Sequence, residues 1–284
     1  MILITGAAGK TGRAILKELV NRKEEVRVFV RKQEQAQALT QLGAKETMIG
    51  DLLDTASIQD AVDGISAIYH ICPNVHPQEV EIGQTIIDAA KTAGVEHFTY
   101  HSVLYPQIEA MPHHWLKMRV EELLIQSALP FTILQPTAYM QNVQAYWQQI
   151  TQEGIYAVPY PSDVQMSLVD LNDVAEAAAN VLTSKSHYYS IYLLAASDPL
   201  TSADIASALS QHLNQDVKAG QINLNDWRSM VETNGLGSYQ VETLLKMFRY
   251  YENNGFVANS NHLGFLLGRE PNTFQEFLQT VPNK

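Results

Sequence analysis

The chain has 284 residues, 46% hydrophobic and 17% charged, enough apolar material for one large α/β domain with an appended lobe. A net charge of −11 without a long basic run argues against binding nucleic acid or an anionic lipid surface. No apolar stretch approaches the roughly 18–20 residues that cross a bilayer. One cysteine, Cys72, excludes an intramolecular disulfide framework and fits a reducing cytoplasm. Zinc is not expected either: no His pairs with Cys at ligand spacing, and adjacent His113 and His114 do not share a helix face.

Residues 1–6 run straight into a glycine loop, with no basic leader or cleavage site, and read as a first strand rather than a signal peptide. Apolar runs at 2–5, 26–31, 67–72 and 97–101 read as strands covered on both faces. Between them, 10–21, 33–42, 57–62 and 79–93 carry apolar residues at helical spacing, with Ser57 as a cap and Gly94 as a stop. Strands at 131–135 and 191–195 and helices at 115–126 and 171–183 continue the alternation. This pattern predicts an α/β Rossmann fold, a doubly wound parallel sheet.

From about residue 201, where Thr201-Ser202-Ala203-Asp204 opens a helix like a capping box, the alternation fades into helices and Asn/Gly loops. The expected division is a Rossmann domain over 1–140 with 166–200, and a smaller, mostly helical C-terminal substrate lobe over 141–165 with 201–284.

Thr5-Gly6-Ala7-Ala8-Gly9-Lys10-Thr11-Gly12 follows the first strand and opens the first helix. Gly6 permits the tight turn, Gly9 lets the backbone approach a pyrophosphate, and Gly12 lets the helix pack close to the sheet. The pyrophosphate would sit on the helix N-terminus, where N–H groups and the dipole favour an anion. Only Gly6-Ala7-Ala8-Gly9 precedes Lys10-Thr11, two residues short of a Walker loop, which argues against an NTPase. A plain glycine-rich turn is the bland alternative.

The second strand ends in Arg31-Lys32, where NAD-specific folds place an acid for the ribose hydroxyls. Two cations there suit a 2′-phosphate and favour NADP(H) over NAD(H), or else form a solvated basic pair. Asp51, before Leu52, either accepts from an adenine amino group or caps the next turn. Ile71, Cys72 and Pro73 end the fourth strand and are expected to line the adenosine side. Cys72 reads as a small buried residue more readily than as a reactive thiol.

These residues resemble the NmrA-like atypical short-chain dehydrogenases/reductases, whose loop spacing is also G-x-x-G-x-x-G. The resemblance covers nearly the whole chain: the loop, Arg31, Gly50-Asp51-Leu52, and the run from Leu116-Lys117-Met118-Arg119 to Leu124. It continues through Pro130-Phe131-Thr132-Ile133-Leu134-Gln135-Pro136, Tyr139-Met140-Gln141-Asn142, Val169-Asp170-Leu171-Asn172-Asp173 and Gly268-Arg269-Glu270-Pro271-Asn272. By this resemblance Lys117 hydrogen-bonds the nicotinamide ribose.

Ordinary short-chain enzymes pair that Lys with a Tyr four residues earlier, a position held here by His113. His113 is either a proton donor or a loop residue after Pro112. Ser102 falls where the family often orients substrate, and Tyr105 lies twelve positions before Lys117, outside the paired spacing. The turn Pro136-Thr137-Ala138-Tyr139 is expected to contact the nicotinamide amide. Tyr139, Tyr146 and Trp147 either shape a flat apolar pocket or pack the lobe.

The family includes NADPH-dependent quinone and triphenylmethane-dye reductases and NAD(P)-binding regulators. The resemblance therefore implies a reductase of a quinone-like or other conjugated small-molecule acceptor, which takes hydride without a strong acid; the single cysteine makes the cytoplasm its expected place. The alternative is a redox sensor that reads the NADP/NADPH ratio and passes it to a protein partner. An epimerase would need the missing Tyr.

Overall fold

The computed structural model describes residues 1–196 and 198–282. Strand β1 (Ile2–Ile4) leads into α1 (Lys10–Asn21), followed by β2 (Val26–Val30), α2 (Gln33–Gln41), β3 (Glu46–Ile49) and α3 (Thr55–Val62). Next come β4 (Ala67–His70), α4 (Glu79–Ala93), β5 (His97–His101), α5 (Pro112–Gln126) and β6 (Phe131–Pro136). Among the described residues the sheet has seven strands in the order β10-β6-β5-β4-β1-β2-β3, where β10 is Ser190–Leu194. All pairings from β3 through β6 are parallel, with Ile2 opposite both Val26 and Ala67. The chain winds outward from β1 to β3, then restarts on the other side of β1 with β4. That reversal is the switch point at which such sheets open a crevice at the carboxyl ends of their strands.

Burial explains why these segments form. The β1 residues are at most 5% exposed, as a strand covered on both faces requires. One cluster joins Leu3, Phe29, Ile58, Ile68, Phe98, Val120 and Ile133, while α1 buries Ile15, Leu16 and Leu19. Each such side chain contributes about 1.5–3 kcal/mol on leaving water. Gly94, at φ 70°, ends α4 in the left-handed conformation as expected.

Two local expectations need correction. The α3 helix is capped by Asp54, whose Oδ1 accepts from Ala56 N at 3.2 Å; Ser57 lies inside the helix and donates its hydroxyl to Asp54. A carboxylate satisfies the open N–H groups and suits the helix dipole better than a hydroxyl. The α5 helix starts at Pro112, not 115, because Pro is pre-organised for a first turn, so His113 is helical.

The chain forms two compact units. The first is Met1–Gln107, His113–Pro136 and Val174–Tyr192; the second is Ile108–Pro112, Thr137–Asp173 and Leu193–Lys284. In chain order the remaining elements begin with β7 (Ala138–Tyr139), a 3₁₀ turn (Met140–Tyr146), α6 (Trp147–Glu153), β8 (Ile155–Val158), β9 (Leu168–Val169) and α7 (Leu171–Leu182). After a 3₁₀ turn at Lys185–His187 and β10 come α8 (Ser202–Leu213), β11 (Lys218–Gln221), α9 (Leu224–Thr233), α10 (Ser238–Asn254), α11 (Asn261–Leu267) and α12 (Phe274–Gln279). The second unit is mostly helical but also holds the parallel pairs β11·β8 and β7·β9. Thr201 and Asp204 form the expected capping box on α8. Within this unit, Thr137 bonds the carbonyls of Leu194 and Ser167, which ties residue 137 to it. Among the described residues, no helix is long and apolar enough to cross a membrane.

Candidate functional site

The loop after β1 is fixed by its own packing. Thr5 Oγ1 accepts from Ile71 N at 3.0 Å and lies 2.8 Å from His70 Nδ1, joining the ends of β1 and β4. Gly6 has φ 62°, and a Cβ there would lie 2.7 Å from the Ile71 carbonyl oxygen. At Gly12 a Cβ would lie 2.5 Å from Ala7 Cα. Gly9 differs: it is exposed, and its Cβ would meet nothing nearer than 3.4 Å. The protein's own packing requires glycine at Gly6 and Gly12 but not at Gly9, where the space left open suits a close ligand backbone.

Ala7 is fully buried, Ala8 accepts from Arg13 Nε at 3.0 Å, and Thr11 is buried. Lys10 is exposed at the first position of α1. That helix starts from Gly9 with no side-chain cap bond and no acid in its own first turn, so the turn itself does not offset the positive end of the helix dipole. The residues present therefore fit a pyrophosphate.

Arg31 and Lys32 are both exposed beyond β2. Lys32 Nζ sits 3.7 Å from Glu34, a weak contact between solvated groups, while Arg31 has no ion pair among the described residues. Asp51 Oδ1 accepts from Leu53 N at 2.9 Å, so Asp51 does cap its own turn. Leu52 and Cys72 belong to the apolar core, and Ile71 and Pro73 are half-buried. Burial first, and the Glu79 carboxylate after it, push the Cys72 thiol up, leaving it unreactive.

Beyond the carboxyl ends of β4 and β5, two non-glycine residues hold positive φ, Val75 at 49° and Tyr105 at 51°, a mark of strain near a site. Lys117, on α5, donates to Glu79 Oε1 at 2.8 Å and to the His101 carbonyl at 3.3 Å. The His101 contact places the ammonium at the end of β5. His113 lies one helical turn earlier, so the two share a face. Burial, His114 and Lys117 hold the His113 imidazole down at about 3, so it is neutral at physiological pH, and its buried Nδ1 has no hydrogen-bond partner among the described residues. It is therefore a neutral donor or acceptor rather than an imidazolium acid.

Ser102 is buried and donates to Glu121, which also accepts from Gln135 Nε2 at 2.9 and 3.1 Å. Burial raises the Glu121 carboxyl against those bonds. Tyr105 accepts from His114 Nδ1 through its carbonyl at 3.4 Å.

Pro136 closes β6 in the first unit, accepting from Leu104 N at 2.9 Å; Thr137 and Tyr139 belong to the second. Tyr146 packs edge-on against Tyr156, and with Trp147 borders that unit's core, which supports lobe packing for both. Asp170 and Asp173 accept from Gln141, Arg269 and Asn272 at 2.6–2.9 Å, tying three distant stretches of that unit together.

Sequence reasoning missed Glu79, Tyr100 and His70. Glu79 had a signal: with Ile82, Gly83 and Ile86 it falls at i, i+3, i+4 and i+7 on the buried stripe of α4, where an acid is out of place.

The strand order, switch point and glycine loop define a Rossmann-type α/β protein. The chain belongs to the NmrA-like family, whose model matches residues 1–278. It is 26% identical to the NAD(P)H azoreductase of Xenophilus azovorans, over 98% of this chain and 96% of that one. Among solved structures, it resembles the NADPH-dependent quinone oxidoreductase QOR2 of Escherichia coli in complex with NADPH. That match has 24% identity and a TM-score of 0.86 over 99% of each chain. The triphenylmethane reductase of Citrobacter sp. in complex with NADP(H) matches at 22% identity and TM-score 0.87, over 99% of this chain and 100% of that one.

Proposed function

We propose that this protein is an NADPH-dependent oxidoreductase that transfers hydride to a quinone-like or other conjugated small-molecule acceptor in the cytoplasm. The observation that carries the reading is the glycine loop at the switch point, closed by packing at Gly6 and Gly12 and open at Gly9. The activities named for the azo, quinone and triphenylmethane relatives support the acceptor class. The first unit is the proposed cofactor domain and the second the substrate lobe.

Gly6–Gly12 and the α1 N-terminus receive the pyrophosphate, with Ala7, Ala8, Lys10 and Thr11 forming its floor. Arg31 grips the 2′-phosphate, with Lys32 beside it, which favours NADP(H) over NAD(H). Asp51, with one carboxylate oxygen committed to Leu53, and Leu52, Ile71, Cys72 and Pro73 bound the adenosine side. Lys117 binds the nicotinamide ribose, and Pro136, Thr137 and Tyr139 are assigned to the nicotinamide end. Bound NADPH supplies the hydride. His113, neutral, orients the acceptor by a hydrogen bond, and the product anion takes its proton from solvent, as electron-poor conjugated acceptors permit.

The test mixes purified protein with NADPH or NADH and a panel of quinones, enones and triarylmethane dyes, following loss of the reduced-nicotinamide absorbance. Turnover with NADPH well above NADH is expected, and Arg31→Ala should lower kcat/KM for NADPH roughly ten- to hundredfold while sparing NADH. Tight NADPH binding without turnover across the panel would replace this reading with that of a redox sensor acting on a protein partner.

A further inference from the structure

Lys117 owes its place to groups outside any sequence motif. Its Nζ meets Glu79 Oε1 at 2.8 Å and lies 5.2 Å from the centre of the Tyr100 ring. The Tyr100 hydroxyl donates to that same Glu79 oxygen, also at 2.8 Å. Side-chain exposure is 15% for Lys117 and 3% for Glu79, so this is a buried ion pair. Helix packing fixes the pair's reach. Gly83, one turn after Glu79, has room only for hydrogen, since a Cβ there would lie 2.7 Å from Val120 Cγ1. Val120 is in turn about one turn after Lys117, so the close approach of α4 and α5 brings the two charges together.

Titratable groups from several elements surround this lysine. From β4 and the residues after it come His70 and Cys72, from β5 Tyr100 and His101, and from α4 Glu79. Its own helix adds His113, His114 and Glu121. Burial holds the four imidazoles at about 3 or 4, hence neutral, and raises the Cys72 thiol and the Tyr100 phenol. Burial also raises Glu121. Glu79 is the exception: burial opposes its charge, but Lys117 and the Tyr100 hydrogen bond prevail and draw it below the ordinary carboxylate value. Its position in the first turn of α4 adds the helix dipole in the same sense.

We propose that Glu79 is a positioning residue for the reaction proposed above, its carboxylate being the counter-charge that holds Lys117 Nζ at the end of β5 to meet the nicotinamide ribose. The inference rests on the NADPH reading. Without the anion, the ammonium is an unpaired buried charge that either leaves its place or gives up its proton.

The experiment compares wild type, Glu79→Gln, Glu79→Asp, Tyr100→Phe, Lys117→Met and the Glu79→Gln/Lys117→Met double variant in NADPH titrations, steady-state kinetics and thermal melts. Glu79→Gln should weaken NADPH binding about tenfold, leave the acceptor KM unchanged, and make that binding fall with rising pH more steeply than in wild type. Glu79→Asp should recover part of the loss, and Tyr100→Phe should cost roughly two- to threefold. In the Lys117→Met background the Gln substitution should add nothing, since the two residues act as one unit.

Additive losses in the double variant, or a folded Glu79→Gln protein with wild-type affinity and the wild-type pH profile, would overturn the proposal. Should Glu79→Gln alone not fold, the neutral double variant and Tyr100→Phe decide: wild-type NADPH affinity in a folded Tyr100→Phe protein defeats it. A wild-type protein that binds no NADPH defeats the functional reading and this inference with it.

Discussion

Gly9 and Gly12 are three residues apart in one loop, yet the structure gives them different tasks. Gly12→Ala drives a methyl to 2.5 Å from Ala7 Cα, a backbone atom that cannot swing aside, so a loss of about 1–3 kcal/mol in stability is expected along with loss of nucleotide binding. Gly9→Ala meets nothing closer than 3.4 Å, so its melting temperature should match wild type while NADPH affinity falls roughly tenfold or more. Melts and NADPH titrations of the two variants check this directly. A destabilised Gly9→Ala protein would show that Gly9 serves the fold and not the ligand. At the same scale, Cys72 and Leu52 are core residues.

Helix ends show how a neighbouring residue takes a role that local pattern assigns elsewhere. Ser57 and Asp54 are both good caps, and the sequence offers no rule for choosing between them. The structure uses Asp54, which receives Ala56 N and the Ser57 hydroxyl together. Asp54→Ala should therefore cost about 1 kcal/mol, read as a shift in denaturant midpoint at unchanged slope, and more than Ser57→Ala, which leaves the cap in place. The start of α5 is a second case. Beginning the helix at Pro112 puts His113 and Lys117 on one face, the arrangement that Tyr and Lys share in ordinary short-chain enzymes. The chain thus keeps the geometry while replacing an acidic phenol with a neutral imidazole.

Across the whole molecule, buried histidines set the acid limit. His70, His97, His101, His113 and His114 titrate at about 3 or 4 in the fold against 6.5 for a free imidazole, with burial the leading cause in each. The unfolded chain takes up their protons first. Stability from this source is therefore complete above about pH 6.5 and is lost as pH falls toward 4. One unit below 6.5, each group costs at most about 1.4 kcal/mol. Calorimetry between about pH 7.5 and about pH 5.5 should show the melting temperature falling, by at most roughly 10 °C, before most carboxylates titrate. A flat profile over that range would mean that the imidazoles are charged or solvated in the folded protein.

The sequence by itself determined the Rossmann alternation, the glycine loop, the cationic end of β2, and the family. Each depends on short-range spacing: period-two and helical burial patterns, three glycines within seven residues, and two cations after a strand. Tertiary structure alone decided which glycine is left open, that α5 begins early enough to align His113 with Lys117, and that Thr137 falls in the second unit through bonds to Leu194 and Ser167. It also decided the Glu79–Lys117–Tyr100 cluster. Those residues come from α4, α5 and β5, and Glu79 and Lys117 stand 38 positions apart. Chemistry of this kind depends on how closely two helices pack and how much water is excluded between them, and neither quantity is written into the local order of residues.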